Sequence, residues 1–97
     1  MDGNEQTGTP AARPLVNHRM LAMLRAVGAG RGRVSCSSEP DLFIDGISCG
    51  DQFAAHALAH QGLVRPARPG QPGELVPAIL TADGQAIVTA QHQHHAA

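Results

Sequence analysis

Apolar residues recur along this chain in runs whose spacing predicts helices alternating with short strands. From Pro14 to Val27, the residues Val16, Met20, Met23, Leu24 and Val27 fall within about 100° of one another at helical spacing, while Arg25 points away from them. Pro14 suits a first helical turn, and Asn17 offers a capping side chain. Gly28 is expected to take the left-handed position that closes this helix, with Gly30 and Gly32 keeping it from restarting. Next, Arg33-Val34-Ser35-Cys36-Ser37 alternates polar with apolar, Ser38-Glu39-Pro40-Asp41 supplies turn chemistry, and Leu42-Phe43-Ile44 runs into Asp45-Gly46. A short hairpin is expected there. Residues 38–47 also read as a short helix, because Ser38 and Asp41 have capping-box spacing with Asp in place of Glu. Phe43 and Ile44 are better strand than helix formers, which favours the hairpin.

Ser48 or Asp51 can cap a second helix with Phe53, Ala54, Ala57 and Leu58 facing inward and Gln52, Ala55, His56 and Ala59 facing outward. Gly62 ends it and Leu63-Val64 opens a strand. Pro66, Pro69, Gly70, Pro72 and Gly73 forbid regular structure, so this loop is expected to project as a tip. Leu75 to Leu80 returns as a strand in which Pro77 requires an edge position or a break in the ladder. Thr81 caps a last segment that can turn Ala86, Ile87 and Ala90 inward. The expected organisation is a flexible arm over residues 1–13, one domain over 14–91, and a flexible His-rich tail over 92–97. The fold class is α+β: a small winged-helix-like domain of about three helices with a short hairpin and a two-stranded wing.

Composition narrows the picture further. A chain of 97 residues has room for one modest core, and with Phe43 and Phe53 as its only aromatics that core is aliphatic. There is no Lys, and seven Arg against eight acids give a net charge of −1, which supplies no overall field for nucleic acid. The distribution is uneven. Between Glu5 and Glu39 lie Arg13, Arg19, Arg25, Arg31 and Arg33 with no acid, whereas residues 39–64 hold Glu39, Asp41, Asp45 and Asp51 with no Arg. No apolar run reaches the roughly 18 residues of a membrane span, and the start lacks the pattern of a secretory signal, so a cytoplasmic protein with no membrane contact is expected. Cys36 and Cys49 then read as reduced thiols.

The order of a helix ending in Gly62-Leu63-Val64, a loop-tipped hairpin and Leu80-Thr81-Ala82-Asp83-Gly84 resembles the winged helix-turn-helix domains of MarR-like and PadR-like bacterial regulators. The resemblance covers about residues 48–88, with Pro14 to Val27 matching a first helix. The chain departs from the family between Val34 and Ile47, where a further helix belongs. The resemblance implies duplex DNA as partner, with the helix near Asp51 to Gln61 in a major groove and the wing on phosphates. On that reading Gln52 and His56 are the base-reading candidates, while Arg65 and Arg68 in the wing, with Arg31 and Arg33, are the phosphate candidates. The helix itself carries no Lys or Arg. Few cationic contacts per chain make a homodimer or a protein partner necessary for useful affinity.

Other chemistries have less support. His56 and His60 stand at a metal-gripping i, i+4 spacing, but the Glu of a His-Glu-x-x-His hydrolase is replaced by Ala57. Adding Cys36 and Cys49 supplies enough ligands for a tetrahedral zinc, yet their separation does not match a zinc finger. No catalytic constellation and no phosphate-cradling loop between a strand and a helix is present, so neither enzymatic activity nor a cofactor is expected. The competing function is a winged-helix-like protein-interaction module that does not contact DNA, built on the acidic middle and the Ala55/Ala59 face. One continuous positive face including Arg19, Arg31, Arg33, Arg65 and Arg68 favours DNA, and scattered arginines favour the interaction module.

Overall fold

Helix α1 (His18–Gly28) forms on the first apolar stripe, in a computed structural model that describes residues 16–96. The expected arm over residues 1–13 lies outside the described residues. The Met20 N–H donates to Asn17 Oδ1 at 2.8 Å, which caps the helix, and Met20, Met23, Leu24 and Val27 are buried as the spacing predicts. The closure comes later than expected. Gly28 stays helical, and Gly30 takes the left-handed conformation with φ of 83°. The Arg31 N–H then bonds the Ala26 carbonyl and the Gly30 N–H bonds that of Val27, a Schellman closure. Gly28 serves close packing instead: a Cβ there would lie 3.0 Å from Leu80 Cδ1.

The strands are β1 (Gly32–Ser35), β2 (Leu42–Ile44), β3 (Ile47–Ser48), β4 (Val64–Pro66) and β5 (Leu75–Leu80). They form one antiparallel sheet in the order β3-β2-β1-β5-β4. The expected hairpin and two-stranded wing are therefore parts of a single five-stranded sheet, and β3 is an addition to the predicted elements. The alternative helix over 38–47 does not form. Asp45 and Gly46 both take positive φ, 55° and 82°, which is the turn that joins two twisted antiparallel strands.

Strand β5 is the seam of the sheet. Its first half pairs with β1 (Val34 opposite Val76) and its second half pairs with β4 (Val64 opposite Leu80). Pro77 is tolerated in this central strand because its backbone faces the end of the β4 ladder, where its carbonyl accepts from the Ala67 N–H at 2.8 Å. The loop between β4 and β5 does not project as a free tip. The Gly73 N–H donates to the Cys36 carbonyl, and the Cys36 N–H donates to that of Glu74, both at 2.9 Å.

Helix α2 (Gln52–His60) is capped by Asp51, which accepts from the Ala54 N–H at 2.9 Å. It closes in a second Schellman motif at Gly62, φ 70°, with the Leu63 N–H on the Leu58 carbonyl and the Gly62 N–H on that of Ala59. Its roll differs from the prediction: Ala54, Ala55 and Leu58 are buried, whereas Phe53 is 87% exposed. Anchoring of Gln52 to the hairpin, described below, sets this roll. Helix α3 (Ala82–Ala96) starts on Thr81, whose Oγ1 accepts from the Gly84 N–H at 3.1 Å and donates to the Gly62 carbonyl at 2.6 Å. Gly84 lies so close to the Leu63 carbonyl that a side chain there would collide with it. Ile87 and Val88 turn toward the core, while Ala86 and Ala90 stay exposed, and the helix backbone continues through the segment expected as a tail.

Leu24, Leu58, Leu63 and Val76 are fully buried at the centre of the core, joined by Val34, Leu42, Val64 and Ala78 from the inner side of the sheet. The opposite side, with Arg33, Phe43, Leu75, Pro77, Ile79 and Arg65 at outward register positions, contributes nothing to that core. Among the described residues no helix is long and apolar enough to cross a membrane.

Candidate nucleic-acid interface

The polar residues of α2 are committed to the protein itself. Gln52 Oε1 accepts from the Leu42 N–H at 3.0 Å, and its Nε2 donates to the carbonyls of Leu42 and Cys49 and to Ser48 Oγ at 2.9–3.1 Å. The side chain thus acts as one more strand partner for β2, and it is not a free base-reading group. His56 lies between two carboxylates, with Nε2 2.9 Å from Asp41 Oδ1 and Nδ1 3.2 Å from Glu39 Oε1. His60 Nε2 reaches Glu39 Oε2 at 2.8 Å. These two acids stand directly beside the outer face of α2, where a phosphate would be repelled.

The arginines divide into paired and unpaired groups. Arg31 grips Asp45 with Nε and Nη2, the shortest contact being 2.8 Å, and that hydrogen bond is the leading reason the Asp45 carboxyl is held below its ordinary range. Asp51 is held low first by the Ala54 N–H and then by Arg19 at 2.8 Å. Glu74 is held low first by the Gln71 N–H and then by Arg68 at 3.2 Å. The side chains of Arg25 and Arg33 are exposed and have no hydrogen-bond or ionic partner among the described residues. Arg65 is exposed and donates only to the neighbouring Pro66 carbonyl, at 3.3 Å.

Strand register places Arg33 and Arg65 together on the open side of the sheet, whereas Arg25 stands in the last turn of α1. Arg33 is flanked across the ladder by Phe43 and Pro77, and Arg65 stands opposite Ile79, one same-face step along β5 from Pro77. Among the outward positions paired in the ladders, Arg33, Ser35, Phe43, Ser48, Leu75, Pro77, Ile79 and Arg65, none is acidic. At one end an open cleft of about 440 Å³ is lined by Arg31, Arg33, Pro77, three glycines and Asp45, the last neutralised by Arg31. Of the sequence candidates, then, Arg31, Arg33 and Arg65 share this side, Arg68 lies beyond the end of β4 and is tied to Glu74, and Gln52 and His56 belong elsewhere. Arg19 stands apart on α1, so the five arginines do not form the one continuous positive face expected of a DNA-binding surface. By that criterion their scatter favours the interaction module. Phe43, Pro77 and Ile79 were missed as candidates. Their shared face follows from the period-2 alternation of strands once the register is known.

Two other features are less suited to a ligand. A groove of about 770 Å³ between α1 and the β2–β3 hairpin has Ala22, Met23, Ala26 and Ile44 on its walls, but its charged residues, Arg19, Arg31 and Asp51, are already in ion pairs. Cys36 and Cys49 are free thiols, and burial pushes the Cys49 thiol above its ordinary value. Among the described residues no group of three or more His, Cys, Asp or Glu is placed to hold a metal ion, so the four-ligand zinc set considered from sequence is not assembled. No family model, curated protein or solved structure matches this chain.

Proposed function

We propose that this domain is a small DNA-binding accessory factor that contacts phosphates through the open side of its sheet, with Arg33 and Arg65 as the principal contacts and Arg31 and Arg68 at the margins. The observation that carries this reading is the pair of unpaired arginines on a sheet face whose outward ladder positions include no acid. The winged-helix resemblance supports DNA as the partner, while the geometry of α2 moves the contact away from the helix that the resemblance would favour. Two phosphate contacts give weak binding, and a homodimer that presents the face twice raises it by avidity.

Fluorescence anisotropy with labelled DNA at low salt tests the proposal. Binding is expected, with log K falling against log salt at a slope of about −1.4 to −1.8 for two neutralised phosphates. The double substitution Arg33→Glu, Arg65→Glu abolishes it, whereas Arg19→Glu leaves it intact. An absence of binding to any DNA at low salt overturns the proposal.

A second reading, the protein-interaction module, loses the Ala55/Ala59 face, because Ala55 is buried, and is favoured instead by Phe53, an aromatic ring left 87% exposed on α2. On this reading the chain self-associates through α2. Sedimentation velocity would show concentration-dependent dimers that Phe53→Arg dissociates without unfolding the protein, and a strictly monomeric wild type would remove this reading.

A further inference from the structure

We infer that the open sheet face takes a single strand of nucleic acid rather than a duplex, with bases stacked on Phe43 and phosphates held by Arg33 and Arg65; this rests on the reading of that face as the nucleic-acid contact. Dimensions make the first argument. Five strands at about 4.8 Å spacing put β3 and β4 about 19 Å apart, whereas a major groove about 12 Å wide admits a helix or a two-stranded ribbon. The sheet face can therefore touch only the outer phosphates of a duplex. The helix that could enter a groove, α2, has its Gln52 amide bound to the hairpin and two carboxylates at its imidazoles.

The chemistry of the face makes the second argument. A single strand exposes base faces that need an apolar platform and phosphates that need cations, alternating at short range. Phe43 and Pro77 flank Arg33 on adjacent strands, and Ile79 stands beside Arg65. Phe43 and Ile79 are half-buried and lie outside the core cluster, so each offers part of its surface on this side. An apolar surface interrupted by unpaired arginines suits a strand whose bases lie flat while its backbone crosses β1, β5 and β4. Recognition of this kind is tolerant of sequence, because every base has a stacking face.

The chain has neither Trp nor Tyr, so Phe43→Trp creates a single emitter within the platform. Labelled oligothymidylate and a duplex of equal length are the probes. The single strand is expected to bind more tightly and to quench the emission at position 43, with no quenching by the duplex. Phe43→Leu should weaken single-strand binding by about 5- to 100-fold and leave the residual duplex binding unchanged, while Arg33→Glu with Arg65→Glu removes both. Circular dichroism confirms that each variant is folded. Duplex binding equal to or tighter than single-strand binding, or an unquenched emitter with bound oligothymidylate, overturns this inference and leaves phosphate binding by the face standing. A polyglutamate peptide that displaces the strand at equal concentration also overturns it and assigns the face to an acidic protein segment. Failure to bind either nucleic acid sinks both proposals.

Discussion

Gln52 is the side chain whose role departs most from its position on a helical wheel. Its amide occupies the Leu42 N–H, and Leu42 is buried at 2% exposure, so removing the amide strands a buried donor. Gln52→Ala should therefore destabilise the fold by about 1–3 kcal/mol in urea denaturation, with the largest loss of amide protection in β2 and β3. Gly84→Ala drives a methyl into the Leu63 carbonyl and should cost about 1–3 kcal/mol, read as a lowered denaturation midpoint. What could be read in advance at this scale was local. Asn17, Asp51, Gly62 and Thr81 act as caps or closures because a cap is recognised within a few residues of its helix. The Leu42 partner of Gln52 and the acidic partners of His56 and Arg31 lie ten or more residues away, and no local pattern names them.

At the scale of elements, the helix order and the return strand were legible because amphipathic period and breaker residues act over single segments. Gly62 illustrates why the helix–strand junction was the clearest signal. It holds φ at 70° with open space where a side chain would stand, so Gly62→Ala is opposed only by the backbone, at about 1–2 kcal/mol measured by thermal unfolding. Gly62→Asn should recover part of that loss. The merging of hairpin and wing was not legible. It depends on β5 pairing with two strands along different halves of its length, and nothing in Leu75 to Leu80 alone distinguishes one partner from two. The same pairing decides the candidate site, since Arg33 and Arg65 become neighbours only through β5. Phe53 failed as a core prediction for a related reason: the roll of α2 is set by the hairpin that Gln52 grips.

For the molecule as a whole, electrostatics is organised around three exposed ion pairs, Arg19–Asp51, Arg31–Asp45 and Arg68–Glu74. All three carboxyls are held below their ordinary values of 3.8 for the two Asp and 4.5 for Glu74. A depressed folded-state value means stability that is fully present above the ordinary value and is lost as pH falls through the depressed one. Thermal midpoints should therefore be steady near neutrality and drop as pH goes below about 4.5. Added salt should shrink the share due to the ion pairs, because exposed pairs are screened. The pairing ties up Arg19, Arg31 and Arg68 and leaves Arg25, Arg33 and Arg65 without an ionic partner among the described residues.

The seam formed by β5 has a temporal consequence. Val76 must find Val34, so the sheet cannot close until nearly the whole domain has been synthesised, and β1 with its hairpin waits unpaired on one side. Closing so long a loop raises the contact order of an otherwise small α+β domain and slows its folding relative to a helical bundle of equal length. During that interval Val34 and the edge it shares with β5 are exposed on the emerging chain. A chain ending at Pro72 should remain unfolded by circular dichroism and aggregate readily, whereas the addition of residues 73–90 should restore cooperative unfolding.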